Sequence, residues 1–240
     1  MNSLPTAIWS TKWGGVDIAV FTTGNDSPLT VAAAAVMLND EEKARGARFH
    51  FSGDRERWIR SRALLRLSLA EKMEVEADGI VFRTGSHGKP ELHETTAGSK
   101  PAGRAARMAA PHHFNLSHSG DYVAVAISVE QVGVDLEQWK ERLPVADLAA
   151  HAFRPEEAAA IAGSTEPHLL FYRLWTAKEA VMKCTGLGLS LPPASIIVRC
   201  DANGIPCLAR RNAGAESFDI FAHDVPRSWT ISAARRTVKE

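Results

Sequence analysis

The chain is short of several things that would direct its reading. It has three cysteines in 240 residues, Cys184, Cys200 and Cys207, with no C-x-x-C pair and no framework spacing. That excludes a disulfide scaffold and a thiolate zinc site, and matches the reduced thiols of an intracellular protein. It has no long apolar run. The longest, around Val31–Leu38, falls well below the roughly 20 residues that a membrane span requires. The N-terminus shows no charged leader followed by an apolar stretch and a cleavage site, so the expectation is a cytoplasmic protein without membrane association. There is also no net charge, with 28 basic and 28 acidic side chains, which argues against wholesale binding of nucleic acid.

What is present is a hydrophobic fraction of 45%, enough for a proper core in one large domain or two intimate smaller ones. The charge, though balanced, is uneven. Between Lys43 and Arg66 stand eight basic residues (Lys43, Arg45, Arg48, Arg55, Arg57, Arg60, Arg62 and Arg66) against Asp54 and Glu56, a local excess of six positive charges. Such a run is either a solvated helix face with i,i+4 ion pairs or a site for a polyanion.

Along the chain, Val16–Phe21 reads as a buried strand and the alanine-rich Pro28–Leu38 as helical. Asn39 or Asp40 offers a cap for a short helix through Arg48, and Ser52 or Asp54 caps a longer one to about Lys72, with Trp58, Ile59, Leu65, Leu67 and Leu69 as its apolar stripe. Residues 84–113 lack apolar periodicity and read as a long surface loop carrying Gly88-Lys89-Pro90. Phe114–Ser117, Tyr122–Ile127 and Val132–Glu137 read as strands, with a turn at Ser119-Gly120-Asp121. A helical block broken at Pro155 and Pro167 ends in a helix from about His168 to Cys184, stopped by Gly186 and Gly188. Ile196–Cys200, Cys207–Arg210, Phe218–Phe221 and Trp229–Ala233 read as short strands.

A faint repeat underlies this order. Asn39-Asp40-Glu41-Glu42 precedes a helix containing Trp58, Arg62 and Arg66, while Arg154-Pro155-Glu156-Glu157 precedes one containing Trp175, Glu179 and Lys183 at a shared offset. The pattern suggests two related α/β halves packed face to face, with a ligand cleft between them.

The chemistry-bearing residues lie in the second half. Asp135 and Glu137 stand two apart in a predicted strand, so both carboxylates leave one face while Val134 and Leu136 leave the other. Two adjacent like charges call for a cation, and carboxylate oxygens suit Mg²⁺, with no nearby His/Cys set for zinc. An exposed strand edge with alternating polar residues is the competing reading. Trp175, Glu179 and Lys183 follow at i, i+4 and i+8, and Lys178 adjoins Glu179, so this helix face either holds metal and phosphate together or is a surface Glu–Lys pair.

Taken with Glu41–Arg66, Gly88-Lys89-Pro90, Phe114-Asn115-Leu116-Ser117-His118-Ser119-Gly120, Gly133-Val134-Asp135-Leu136-Glu137 and Trp175–Lys183 followed by Gly186-Leu187-Gly188-Leu189, the chain resembles the Sfp-type phosphopantetheinyl transferases. These are the larger, pseudo-dimeric class that activates nonribosomal peptide, polyketide and fatty-acid synthases. The resemblance implies an α/β (α+β) fold of two similar subdomains, 1–128 and 129–240, active as a monomer. It implies that Asp135, Glu137 and Glu179 ligate Mg²⁺ against the pyrophosphate of coenzyme A, and that Lys183 holds the transferred phosphoryl group. Arg62 and His118 would contact coenzyme A phosphates, with Arg45, Lys89, Pro90, Ser117 and Lys178 as further contacts. By itself His118 reads as an ordinary loop histidine; its Ser-His-Ser-Gly motif reverses that reading. The implied reaction is attack by the serine of an acyl or peptidyl carrier protein on the β-phosphate of coenzyme A, releasing adenosine 3',5'-bisphosphate, with Glu179 as the candidate base.

Overall fold

In the computed structural model the described residues are 3–85, 90–93, 112–211, 216–225 and 228–237. Lys89 and most of the expected 84–113 loop therefore lie outside them. The described residues form eleven strands and six α-helices in two compact units: 1–113 with 120–129, and 114–119 with 130–240. No helix among them is long and apolar enough to cross a membrane.

In the first unit, β1 (Trp9–Trp13) and β2 (Val16–Thr22) form a hairpin in the register Trp13↔Val16, and β2 pairs on its other side with β6 (Tyr122–Ser128). Gly14 and Gly15, at φ of 51° and 83°, supply the left-handed pair that a two-residue turn of matching twist requires. β1 was not expected from the sequence, since its exposed positions are Ser10 and Lys12; the Gly-Gly pair after Trp13 was the signal available. Of the expected Pro28–Leu38 helix only α1 (Val31–Ala35) forms, started by Thr30, whose hydroxyl accepts from Ala33 N–H. α2 (Asp40–Gly46) opens with a capping box in which Asn39 accepts from Glu42 N–H and Glu42 accepts from Asn39 N–H. α3 (Ser52–Met73) ends at Glu74 in left-handed conformation. β3 (Phe82–Thr84) pairs with β4 (Pro90–Leu92), which places a short ribbon where the sequence suggested only loop.

In the second unit an antiparallel sheet runs in the order β7 (Val132–Gln138), β11 (Trp229–Arg236), β10 (Ser217–Val225), β9 (Pro206–Arg211), β8 (Ile196–Cys200). α4 (Val145–Ala152), α5 (Pro155–Ala162) and α6 (Pro167–Thr185) complete it. α6 buries Ala177, Ala180, Val181 and Cys184 in a core shared with Ile196, Ala209, Phe218 and Ala234. Its opposite flank carries Phe171 and Trp175, whose rings stack at 5.9 Å, against Phe153. Strand and helix meet at Gly133, where a Cβ would fall 2.0 Å from Ala180 O and 2.4 Å from Cys184 N. The glycine is thus a condition of the helix seating, and Gly186, at φ 74°, ends that helix.

β5 (His113–Ser119) gives its residues Phe114–Ser119 to this second unit, although the sequence division at 128/129 assigned them to the first. Side chains explain the attachment. Asn115 Oδ1 accepts from Val134 N–H at 2.8 Å, and Ser117 Oγ accepts from Leu136 N–H at 3.2 Å. Both N–H groups belong to β7, the edge strand of the sheet, whose outward backbone groups need partners.

Candidate active site

β7 presents Asp135 and Glu137 on one face, as strand periodicity requires, and α6 brings Glu179 and Lys183 to the same place. The Lys183 ammonium lies 2.6 Å from Asp135 Oδ1 and donates to Ser117 Oγ at 3.0 Å. Ser117 in turn donates to Asp135 Oδ1 at 2.9 Å. Its single proton is thereby spent and its lone pairs accept from Lys183 and Leu136, so the hydroxyl is fully committed. Ser119 donates to Glu137 Oε2 at 2.6 Å.

The charge here is not balanced from within. Burial raises the Glu179 carboxyl above the ordinary carboxylate range, and the neighbouring charges of Asp135 and Glu137 raise it further against the opposing pull of Lys183. Glu137 is likewise raised, by burial first and then by Asp135, with Ser119 and Lys183 opposing. Three carboxylates share the Lys183 ammonium, and Lys140 acts on Glu137 besides. Asp135 is 3% exposed, and its second oxygen, Oδ2, is buried without a hydrogen-bond partner. An unpartnered carboxylate oxygen among like charges is costly unless a cation meets it. Among the described residues no three ligand side chains already converge tightly enough to hold a metal ion. The donor set, all carboxylate oxygen with room for water, nevertheless fits a hard divalent cation and not a soft one.

The other residues singled out from the sequence fare differently. His118 stands between the two serines on β5, exposed, on the opposite strand face. Pro90 begins β4, half-buried. Arg45 is exposed and lines a shallow cavity of about 450 Å³ with Glu41, Arg48 and Phe49. Arg62 is less available. Its guanidinium donates twice to Glu42 Oε1, at 2.7 and 3.0 Å, lies 4.6 Å from the Phe82 ring centre, and is 13% exposed. Burial lowers its pKa, and Glu42 partly restores it.

Lys178 is a correction. The sequence set it beside Glu179 as a coenzyme A contact, but adjacent helical residues point about 100° apart, and Lys178 turns into the core. It is 0% exposed, its ammonium pairing with Glu157 at 2.8 Å and donating to the carbonyls of Pro193 and Ile196. The basic run is corrected in part as well. Arg60 donates to Leu29 O and Thr23 O, and Arg66 to Glu42, Ala77 O and Ile80 O. With Arg62 they are internal fasteners, leaving Lys43, Arg45, Arg48 and Arg55 exposed and Arg57 half-buried beside Asp54 and Asp121. Ser119 was not singled out from the sequence; the signal was its alternate position to Ser117, opposite the second carboxylate.

Two family profiles match the chain: "4'-phosphopantetheinyl transferase, N-terminal" over residues 25–130, and "4'-phosphopantetheinyl transferase superfamily" over residues 131–234. A 4'-phosphopantetheinyl transferase of Bacillus subtilis is 32% identical over 174 residues, 71% of this chain and 69% of that protein. The 4'-phosphopantetheinyl transferase HetI of Nostoc sp. is 33% identical, over 65% of this chain and 62% of its own. The 4'-phosphopantetheinyl transferase Sfp of Bacillus subtilis strain 168 is 28% identical, over 70% and 68%. The chain thus spans between 62% and 69% of the lengths of such relatives.

Proposed function

Because the chain belongs to the 4'-phosphopantetheinyl transferase superfamily, we propose that it transfers the 4'-phosphopantetheine arm of coenzyme A to a serine of an acyl or peptidyl carrier protein. The observation that carries this reading is the cluster of Asp135, Glu137, Glu179 and Lys183, in which a buried Asp135 oxygen lacks a partner.

Asp135, Glu137 and Glu179 would hold Mg²⁺, which when bound supplies charge neutralisation to a pyrophosphate. Lys183 contacts the phosphoryl group, and Glu179, directly or through a water molecule, takes the proton of the carrier serine. As the bond from serine oxygen to the β-phosphorus forms, the bond to the bridging oxygen breaks and adenosine 3',5'-bisphosphate departs. Little covalent work falls to the protein, so its contribution is placement and fixed charge. Arg45, with His118, Pro90 and Lys89, is assigned to the nucleotide and its phosphates. Arg62 joins that set only through donors that Glu42 leaves over. Ser117, expected as a coenzyme A contact, is assigned instead to aligning Asp135 and Lys183, because its hydroxyl is committed to them and to Leu136 N–H. All the carboxylates, the ammonium and both serines belong to one unit of one chain, which supports action as a monomer. The free thiols of Cys184, Cys200 and Cys207 support a reducing, cytoplasmic setting.

The test is mass spectrometry of apo carrier proteins incubated with the chain, coenzyme A and Mg²⁺. The expected result is one added phosphopantetheine mass on the carrier serine. Cleavage of coenzyme A at the same rate without any carrier would overturn the assignment in favour of a hydrolase.

A further inference from the structure

Three alternate side chains of β5 are spent on β7: Asn115 on Val134 N–H, Ser117 on Asp135 and Leu136 N–H, and Ser119 on Glu137. The first two fasten backbone, and their loss would loosen the strand itself. Ser119 differs, because its hydroxyl donates to a carboxylate oxygen of Glu137 at 2.6 Å and the side chain is only half-buried. Its work is therefore on Glu137.

That work is needed. A glutamate has three rotatable bonds, and its terminal torsion is broad. Asp135, two residues away on the same face, repels the Glu137 carboxylate, so left to itself Glu137 would turn from the cluster. The short bond to Ser119 opposes that turn and fixes one oxygen, as Ser117 fixes Oδ1 of Asp135 while Oδ2 stays without a partner. Each strand carboxylate thus has one oxygen tied to a serine two residues from the other.

We propose that Ser119 is a positioning residue that holds Glu137 in the orientation a divalent cation requires; the proposal rests on the metal assignment made above. Groups that orient metal ligands typically change metal affinity about 10- to 100-fold when removed.

The comparison that tests it is Ser119→Val against Ser119→Thr, side chains of one shape that differ in the hydroxyl. The probe is Mn²⁺, its binding followed by electron paramagnetic resonance in the presence of saturating coenzyme A, without carrier protein. Ser119→Thr should bind Mn²⁺ nearly as the unaltered chain does, and Ser119→Val roughly 10- to 100-fold more weakly, with coenzyme A affinity measured alone unchanged in both. Equal Mn²⁺ affinity in the two variants would overturn the proposal, even if both melted at lower temperature, since a merely structural serine would give that result. Asp135→Ala is the control for the premise. If it binds Mn²⁺ as tightly as the unaltered chain, the metal assignment fails and the Ser119 proposal falls with it; if it loses Mn²⁺ while Ser119→Val does not, only the latter fails.

Discussion

The two units use one device and put it to different ends. In each, a glutamate at the third position of a short helix accepts from the backbone of the capping residue, Glu42 from Asn39 N–H and Glu157 from Arg154 N–H. Each then pairs with a buried cation of the following long helix, Arg66 or Lys178. Each long helix also carries a tryptophan that packs on what precedes it, Trp58 against Phe49 and Trp175 against Phe153. The units part at the positions related by the repeat. In the first, Arg62 and Arg66 both close on Glu42, so that the one carboxylate is matched by two guanidiniums and no negative charge is left over. In the second, Glu179 and Lys183 meet two further carboxylates, and negative charge is left over. Density of charge alone therefore does not mark a site. The basic run of the first unit is the denser sequence feature, yet three of its arginines are committed to the fold.

The comparison is broken or sharpened by changes on either side. The largest effect is expected at Asp135. Asp135→Ala should cut carrier modification by on the order of 10²–10³, the scale on which fixed electrostatic groups contribute, while the fold survives because Glu137 and Glu179 remain to face the Lys183 ammonium. Full turnover at limiting Mg²⁺ in a folded variant would erase the distinction between the units.

Next in size is Arg66, where the cost should appear in stability. Arg66→Met leaves Glu42 to Arg62 alone and deprives the carbonyls of Ala77 and Ile80 of their donor, and a buried acceptor left unsatisfied costs about 1–3 kcal/mol. Urea unfolding should show it; a loss no larger than that of an exposed arginine would contradict the internal clamp. Arg62 divides the two uses. If its guanidinium also reaches the 3'-phosphate, Arg62→Ala weakens coenzyme A more than dephospho-coenzyme A, and equal losses would confine it to the clamp.

The smallest effect on stability is at Glu137. Burial and Asp135 raise its pKa in the folded chain, so the folded state retains a proton that the unfolded chain has already shed. Stability therefore falls as pH rises through the carboxylate range. Glu137→Gln should remove that fall and gain roughly 0.5–2 kcal/mol near neutrality, the usual size of such repairs, with turnover lost. Thermal melts across pH, with and without Mg²⁺, check it: the metal should stabilise the unaltered chain and not the variant.

The strand and helix that carry the site were legible in the sequence, because alternation at 132–137 and the i, i+4, i+8 series at 175–183 are both strong periodic signals. β8 matched to the residue, since Ile196 and Val198 alternate into the core. What could not be read was which charges the tertiary structure would consume. Nothing local distinguishes Lys178 from Lys183, yet one meets the Pro193 and Ile196 carbonyls and the other Asp135, because residues five apart on a helix point about 140° apart and different elements pack on the two sides of α6. The attachment of β5 to the second unit was hidden for a related reason: it runs through side-chain oxygens of Asn115, Ser117 and Ser119, which no backbone periodicity reports.

Gly133 carries a consequence that concerns tolerance and not chemistry. The strand bearing two acids and the helix bearing the third acid and the lysine are held apart by the thickness of a hydrogen atom, with Ala180 O and Cys184 N as the stops. A single methyl there would act as a shim. Every reactive group would remain in the chain, each still attached to its own rigid element, but the two halves of the charge cluster would be out of gauge. The most damaging replacement in this region can thus be the one that alters no functional group, and an inactive variant at this position would say nothing against the roles assigned to its neighbours.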